Sequence, residues 1–145
     1  MCKATDVANF FLKCPEDSDA SNSITNMKLQ KLLYFAQGHA LAVLGHPLFE
    51  DDFEAWVHGP VIPSVYRKYR RYGDGCITPP RSVSLSRFTP EEKQLLDDVW
   101  DAYGVYSAWG LSTLSHNTKP WMNHKDAQDV IPKAEMQSYF TTLNK

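Results

Sequence analysis

The chain has 145 residues, 43% hydrophobic and 22% charged, with a formal net charge of −2. That length suits one domain spanning residues 1–145, large enough to bury about two-thirds of its unfolded surface. The charge balance removes any global drive towards nucleic acid or an anionic membrane and leaves such roles to local patches. With no run of about 18 apolar residues and no leader-like apolar stretch at the start, neither a membrane span nor secretion is expected. Cys2, Cys14 and Cys76 are odd in number and scattered. They fit free thiols in a reducing cytoplasm better than a disulfide framework.

Thr5 is placed to cap a first helix in which Val7, Phe10, Phe11 and Cys14 follow the i, i+3, i+4, i+7 spacing of a core-facing stripe, ending near Pro15. Glu16 to Ser23 is small and polar, a connector. The next stretch, Thr25 to Gly45, organises the chain. Thr25 or Asn26 can cap its start, and Gly45 stands where a helix commonly ends in a left-handed residue. Leu29, Leu32, Leu33, Tyr34, Phe35, Ala36, Ala40, Leu41, Val43 and Leu44 make it apolar over most of its circumference. Lys28, Gln30, Lys31 and Gln37 are left as a polar strip. Such a helix is buried against several neighbours. Gly38 inside it costs on the order of 1 kcal/mol against Ala, which implies close packing by another element.

After Gly45, Pro47-Leu48-Phe49 and Phe53 to Val57 read as two short strands around the acidic turn Glu50-Asp51-Asp52, and His58-Gly59-Pro60 breaks the chain. Pro63 and Ser64 open a helix over residues 65–72 that Gly73 stops. Residues 73–88 form a loop with room for a short edge strand at Ile77 or Val83 to Leu85. Thr89-Pro90-Glu91-Glu92 is a capping box with Pro at the first helical position. It starts a helix to about Tyr103 with Leu95, Leu96, Val99, Trp100 and Tyr103 inward. Ser107 caps a short helix holding Leu111 and Leu114, Lys119-Pro120-Trp121 breaks the chain again, and a last helix over Lys133 to Leu143 buries Met136, Tyr139, Phe140 and Leu143. The expected fold is mainly α (α+β): a compact helical domain around one central buried helix, with a small antiparallel β element.

The sequence contains no phosphate-binding glycine loop, nucleophile elbow or HExxH zinc motif. No catalytic residue, cofactor or metal is expected. His39 and His46 lack a carboxylate or thiol at ligand spacing. His58 precedes a Gly-Pro break, and His116 sits at a helix end where an imidazole can meet backbone carbonyls. The run Tyr66-Arg67-Lys68-Tyr69-Arg70-Arg71-Tyr72 is the most unusual composition in the chain. Arg67, Arg70 and Arg71 would share one side of a helix, with Tyr66 and Tyr69 at the core boundary. Mixed Tyr and Arg suit a protein interface. They also suit base stacking with phosphate contacts, or a merely solvated face.

Taken together, the segments resemble the Panacea domain family of SocA-like antitoxins. The resemblance is carried by Leu29-Gln30-Lys31-Leu32-Leu33-Tyr34-Phe35-Ala36-Gln37, Pro47-Leu48-Phe49, Ala55-Trp56, Gly59-Pro60-Val61-Ile62-Pro63 and Val65-Tyr66, then Tyr72-Gly73, Leu111-Ser112, Ser115-His116 and Pro120-Trp121. It runs from about Thr5 to Phe140. It implies a small cytoplasmic protein, often phage- or mobile-element-associated, that neutralises a toxin encoded beside it by direct binding. One style of member acts as an adaptor that hands the toxin to a protease. On this reading the protein is not an enzyme and its partner is the cognate toxin. The partner surface falls to Tyr66, Arg67, Tyr69, Arg70 and Arg71. The motif positions Lys31, Tyr34, Trp56, His58, Gly59, Pro60, His116 and Trp121 form either a structural network or a site, the structural network being favoured. The weaker alternatives are a nucleic-acid-binding regulator using the Arg67–Arg71 patch and a small enzyme using the His116 region.

Overall fold

The structure is a computed structural model that describes residues 2–17 and 24–144. The α-helices are α1 (Ala4–Lys13), α2 (Asn26–Val43), α3 (Pro63–Tyr69), α4 (Pro90–Tyr103), α5 (Ala108–His116), α6 (Lys119–Met122) and α7 (Lys133–Leu143). The strands β1 (Phe53–Trp56), β2 (Gly59–Val61) and β3 (Val130–Ile131) form an antiparallel sheet in the order β2-β1-β3. The fold is mainly α with a small β element, as the sequence patterning suggests.

Helix α2 lies at the centre because it has almost no polar face to give to water, and α7, α5, α4 and α1 pack around it. Thr25 is its N-cap, accepting from the Lys28 backbone N–H at 3.2 Å. Asn26, the other candidate cap, points inward instead. Gly45 follows the helix at φ +79°, the left-handed conformation that favours glycine. Gly38 faces Phe140 on α7 so closely that a Cβ there would overlap the phenyl ring. That ring is fully buried among Tyr34, Phe35, His39 and Tyr139, so it has nowhere to move. On α4, Thr89 and Glu92 complete the reciprocal capping box, and Ser107 caps α5 through the Gly110 N–H.

Several local expectations are corrected. The strand pair does not flank the acidic turn: Pro47-Leu48-Phe49 is outside the sheet, pinned to α2 by a side chain, while β1 turns through Val57-His58 into β2. His58-Gly59-Pro60 therefore folds the hairpin rather than breaking the chain. Pro60 is tolerated because β2 is an edge strand, free of a ladder on its outer side. β3 is two residues long and too short to leave a sequence pattern. Lys119-Pro120-Trp121 begins α6, with Pro in the first turn where its missing N–H costs nothing. The helix expected over residues 65–72 divides: α3 stops at Tyr69 and Arg70–Tyr72 tighten into a 3-10 turn before Gly73 at φ +56°. Helix α1 starts at Ala4 with Lys3 as N-cap, which puts Thr5 inside the first turn. Leu143 is exposed, not buried. The edge strand near Ile77 reduces to one antiparallel bridge, Thr25 to Cys76, and Leu85–Arg87 is a 3-10 turn. Of the connector Glu16 to Ser23, residues 18–23 lie outside the described residues.

Candidate functional site

The polar strip expected on α2 is not a solvent face. Asn26, Lys28, Gln30, Lys31 and Gln37 are all buried. Burying such groups is costly unless each finds a hydrogen-bond partner, and most of the partners found are backbone atoms of the segments packed against the helix. Gln37 accepts from the Leu48 N–H at 2.8 Å and donates to the Phe49 carbonyl at 2.9 Å. Gln30 accepts from the Ile62 N–H at 2.9 Å and donates to Asn26 Oδ1, while Asn26 Nδ2 donates to the Tyr66 carbonyl at 3.1 Å. Lys28 Nζ donates to the Gly104 carbonyl at 2.7 Å, holding the end of α4. The central helix thus works as a pegboard on which the hairpin, α3 and α4 hang.

A second polar ladder joins α2 to the segment around α5 and α6. Thr118 gives its hydroxyl proton to the Ser115 carbonyl at 2.6 Å, so the 2.8 Å contact between Tyr34 and Thr118 is a donation from Tyr34. Burial holds the Tyr34 phenol well above its ordinary pKa, so this donor stays protonated. Ser112 donates to the His58 carbonyl at 2.6 Å, and Trp121 Nε1 donates to the Trp56 carbonyl at 2.8 Å. Gly59 at φ +119° follows these two anchored carbonyls and opens β2, with Pro60 buried beside it. His116 stacks on Trp121 with centroids 4.1 Å apart, and its Nε2 is buried without a hydrogen-bond partner among the described residues. Burial lowers its pKa first, the Val57 backbone opposes that, and the nearby Lys31, His58 and Lys125 charges lower it further. Tyr34, Gly59, Pro60, His116 and Trp121 thus lie in or beside this set of buried contacts.

Lys31 differs from its neighbours on α2. It is 1% exposed and has no hydrogen bond or ion pair with any described residue. Its Cδ and Cε run past Gly59, and desolvation alone pulls its amine down to about 7. It lines a cleft of about 410 Å³ whose walls include Trp56, His58, Tyr66 and Trp109. Trp56 meets Tyr66 edge-on at 5.1 Å, and His58 meets Trp109 edge-on at 5.4 Å. At the mouth, Val57 and Trp109 are each 63% exposed. Sequence reading missed both. An isolated exposed tryptophan leaves no periodic signal, and Val57 carries one only through the hairpin that exposes it.

Beyond Tyr66 the chain carries Arg67, Lys68, Arg70 and Arg71, all exposed and none paired with a carboxylate among the described residues. Arg71 lies over the Tyr72 ring, 5.0 Å from its centroid, and donates to its hydroxyl at 3.2 Å. Tyr69 is buried in the core, so it anchors this segment from beneath, while Tyr66 is half-buried at the cleft. The structure therefore places Lys31, Trp56, His58 and Tyr66 around one cleft, next to the basic segment in the chain. No three His, Cys, Asp or Glu side chains gather as a metal site among the described residues, and no helix among them is long and apolar enough to cross a membrane.

The family profile for "Antitoxin SocA-like, Panacea domain" matches residues 29–122, a span that includes most of α2, the hairpin, the basic segment, α4, α5 and α6. This chain belongs to that family. It is also 54% identical over 50 residues to Antitoxin SocA of Caulobacter vibrioides (strain NA1000 / CB15N), a stretch that makes up 34% of this chain and 27% of the relative. The match thus spans only about a quarter of that relative's length. No solved structure matches the chain.

Proposed function

We propose that this protein is an antitoxin that neutralises a co-encoded protein toxin in the cytoplasm by direct contact, without catalysis. The observation that carries this reading is membership of the SocA-like Panacea family over residues 29–122. The surface offers physical support. Arg67, Lys68, Arg70 and Arg71 are exposed without acidic partners among the described residues, and Trp109 and Val57 stand out at the cleft. Tyr, Trp and Arg are the residue types that most often anchor protein interfaces. The partner surface comprises Arg67, Arg70, Arg71 and the exposed edge of Tyr66, with Tyr69 acting from the core. Delivery of the bound toxin to a protease is a further step that the same contact permits.

The test is expression of the neighbouring reading frame alone and together with this protein. Growth arrest by the neighbour alone, relieved by this chain and accompanied by co-purification of the two, is the expected result. A neighbour that is harmless alone, or one neutralised without any physical association, overturns the proposal.

A further inference from the structure

Every other buried polar side chain on α2 has a hydrogen-bond partner, and each partner holds a neighbouring segment or another α2 side chain in place. Lys31 has none among the described residues and holds nothing. A buried ammonium without a counter-charge is among the more expensive groups a fold can contain. Its position is also not an accident of a loose surface chain. It extends from the central helix, passes under the hairpin where Gly59 leaves room for it, and reaches the cleft between Trp56, Tyr66 and Trp109.

We propose that this cleft is a receptor for a carboxylate, an acidic side chain of the partner protein flanked by apolar or aromatic residues, with the Lys31 ammonium as its counter-ion. The inference rests on the reading of this chain as a protein that binds a protein partner, and it names the chemistry of the group inserted. A single buried cation between aromatic walls suits a monoanion. A phosphate would need several converging donors; of the other polar groups lining the cleft, Gln30 and Asn26 are already engaged with each other and with the backbone, and His58 and Gln128 are exposed. Asp74, also exposed, is itself an acid that the incoming carboxylate must clear to reach Lys31. The aromatic walls suit the residues beside the acid, and Trp109, 63% exposed at the mouth, provides the surface on which they would lie. The exposed arginines beyond Tyr66 would draw an acidic segment towards the cleft by long-range attraction.

The full chain is titrated with the peptide acetyl-Phe-Glu-Phe-amide and with its Gln counterpart, following the indole N–H signals of Trp56 and Trp109 by NMR. The Glu peptide is expected to shift both signals saturably and to bind at least about 30-fold more tightly than the Gln peptide, as expected for a desolvated charge pair. In Lys31→Met that preference should vanish while the fold persists, since an unbranched apolar chain replaces the stem. Equal binding of the two peptides, or a preference that survives Lys31→Met, overturns the proposal. Tight binding of free benzoate without binding of the Glu peptide also overturns it, in favour of a small-molecule acid. The co-encoded toxin is titrated against the same variant. Unchanged toxin affinity in Lys31→Met removes the cleft and leaves the antitoxin reading standing. Charge-selective peptide binding with no toxin binding at all removes the antitoxin reading and leaves the cleft.

Discussion

Lys31 occupies the space that a side chain on Gly59 would need: a Cβ built on Gly59 falls 2.6 Å from Lys31 Cε and 2.6 Å from Ser115 Oγ. One glycine thus permits both the hairpin's φ of +119° and the passage of the lysine from the core to the cleft. Gly59→Ala should lower stability by about 1–3 kcal/mol, combining backbone strain with overpacking. It should also displace the Lys31 side chain, seen as a change in the Trp56 and Trp109 indole signals. A variant as stable as the parent with unchanged signals would show that the hairpin does not depend on this contact.

Lys31 also makes a pH prediction. Its amine ionises at about 7 in the folded chain, against 10.5 ordinarily, because burial disfavours the charged form. Between those values the unfolded chain holds a proton that the folded chain lacks, so stability rises with pH across that window. Below about 7 the cost of the buried charge is felt in full. Lys31→Met removes this dependence and should raise stability at pH 6 by on the order of 1–4 kcal/mol. Lys28, also lowered by burial, contributes with the same sign, so the difference between the two melting profiles is the quantity to measure. Superimposable slopes between pH 7 and pH 10 would mean that the Lys31 amine stays charged when buried.

The close approach of Gly38 to Phe140 yields a packing prediction. Gly38→Leu should destabilise by about 1–3 kcal/mol or more, beyond anything helix propensity could offset, because the ring it meets is confined on all sides. Denaturant melts with the variant equal to or more stable than the parent would remove this contact from the core.

This contact was legible in the sequence, since a glycine in an otherwise unbroken apolar helix marks a place where a neighbouring element comes close. So were the caps at Thr25, Thr89 and Ser107, whose signals are local. What could not be read was the fate of Lys28, Gln30, Lys31 and Gln37. Helical periodicity marks them as polar, but whether they face water or unpaired backbone depends on segments distant in the chain, such as Leu48, Ile62 and Gly104. The strand boundaries failed for a similar reason. Val57-His58 is a turn because Gly59 adopts positive φ and Ser112 and Trp121 hold the carbonyls on either side, all of which are tertiary facts. Read from sequence, Lys31, Trp56 and His58 fall among the motif positions and Tyr66 on the partner surface; that all four line one cleft is a tertiary fact.

His116 is predicted to be a framework residue. His116→Ala should lower stability by about 1–3 kcal/mol through loss of its stacking on Trp121, while leaving toxin protection in place. Loss of protection with an unchanged melting temperature and intact toxin binding would instead assign it a chemical role.

The central claim is that this chain neutralises its toxin by gripping it through the basic segment beside the cleft. The most direct measurement is calorimetric titration of the purified co-encoded toxin against the parent and against the Arg67→Glu, Arg71→Glu double variant. Both arginines are exposed and neither is paired with an acid among the described residues, so the double variant should melt within about 1 kcal/mol of the parent. Saturable binding by the parent, weakened in the double variant by more than about 2 kcal/mol and accompanied by loss of protection in cells, is the predicted result. Unchanged affinity in the double variant, or binding to mixed nucleic acid that falls steeply with salt in place of toxin binding, would contradict it.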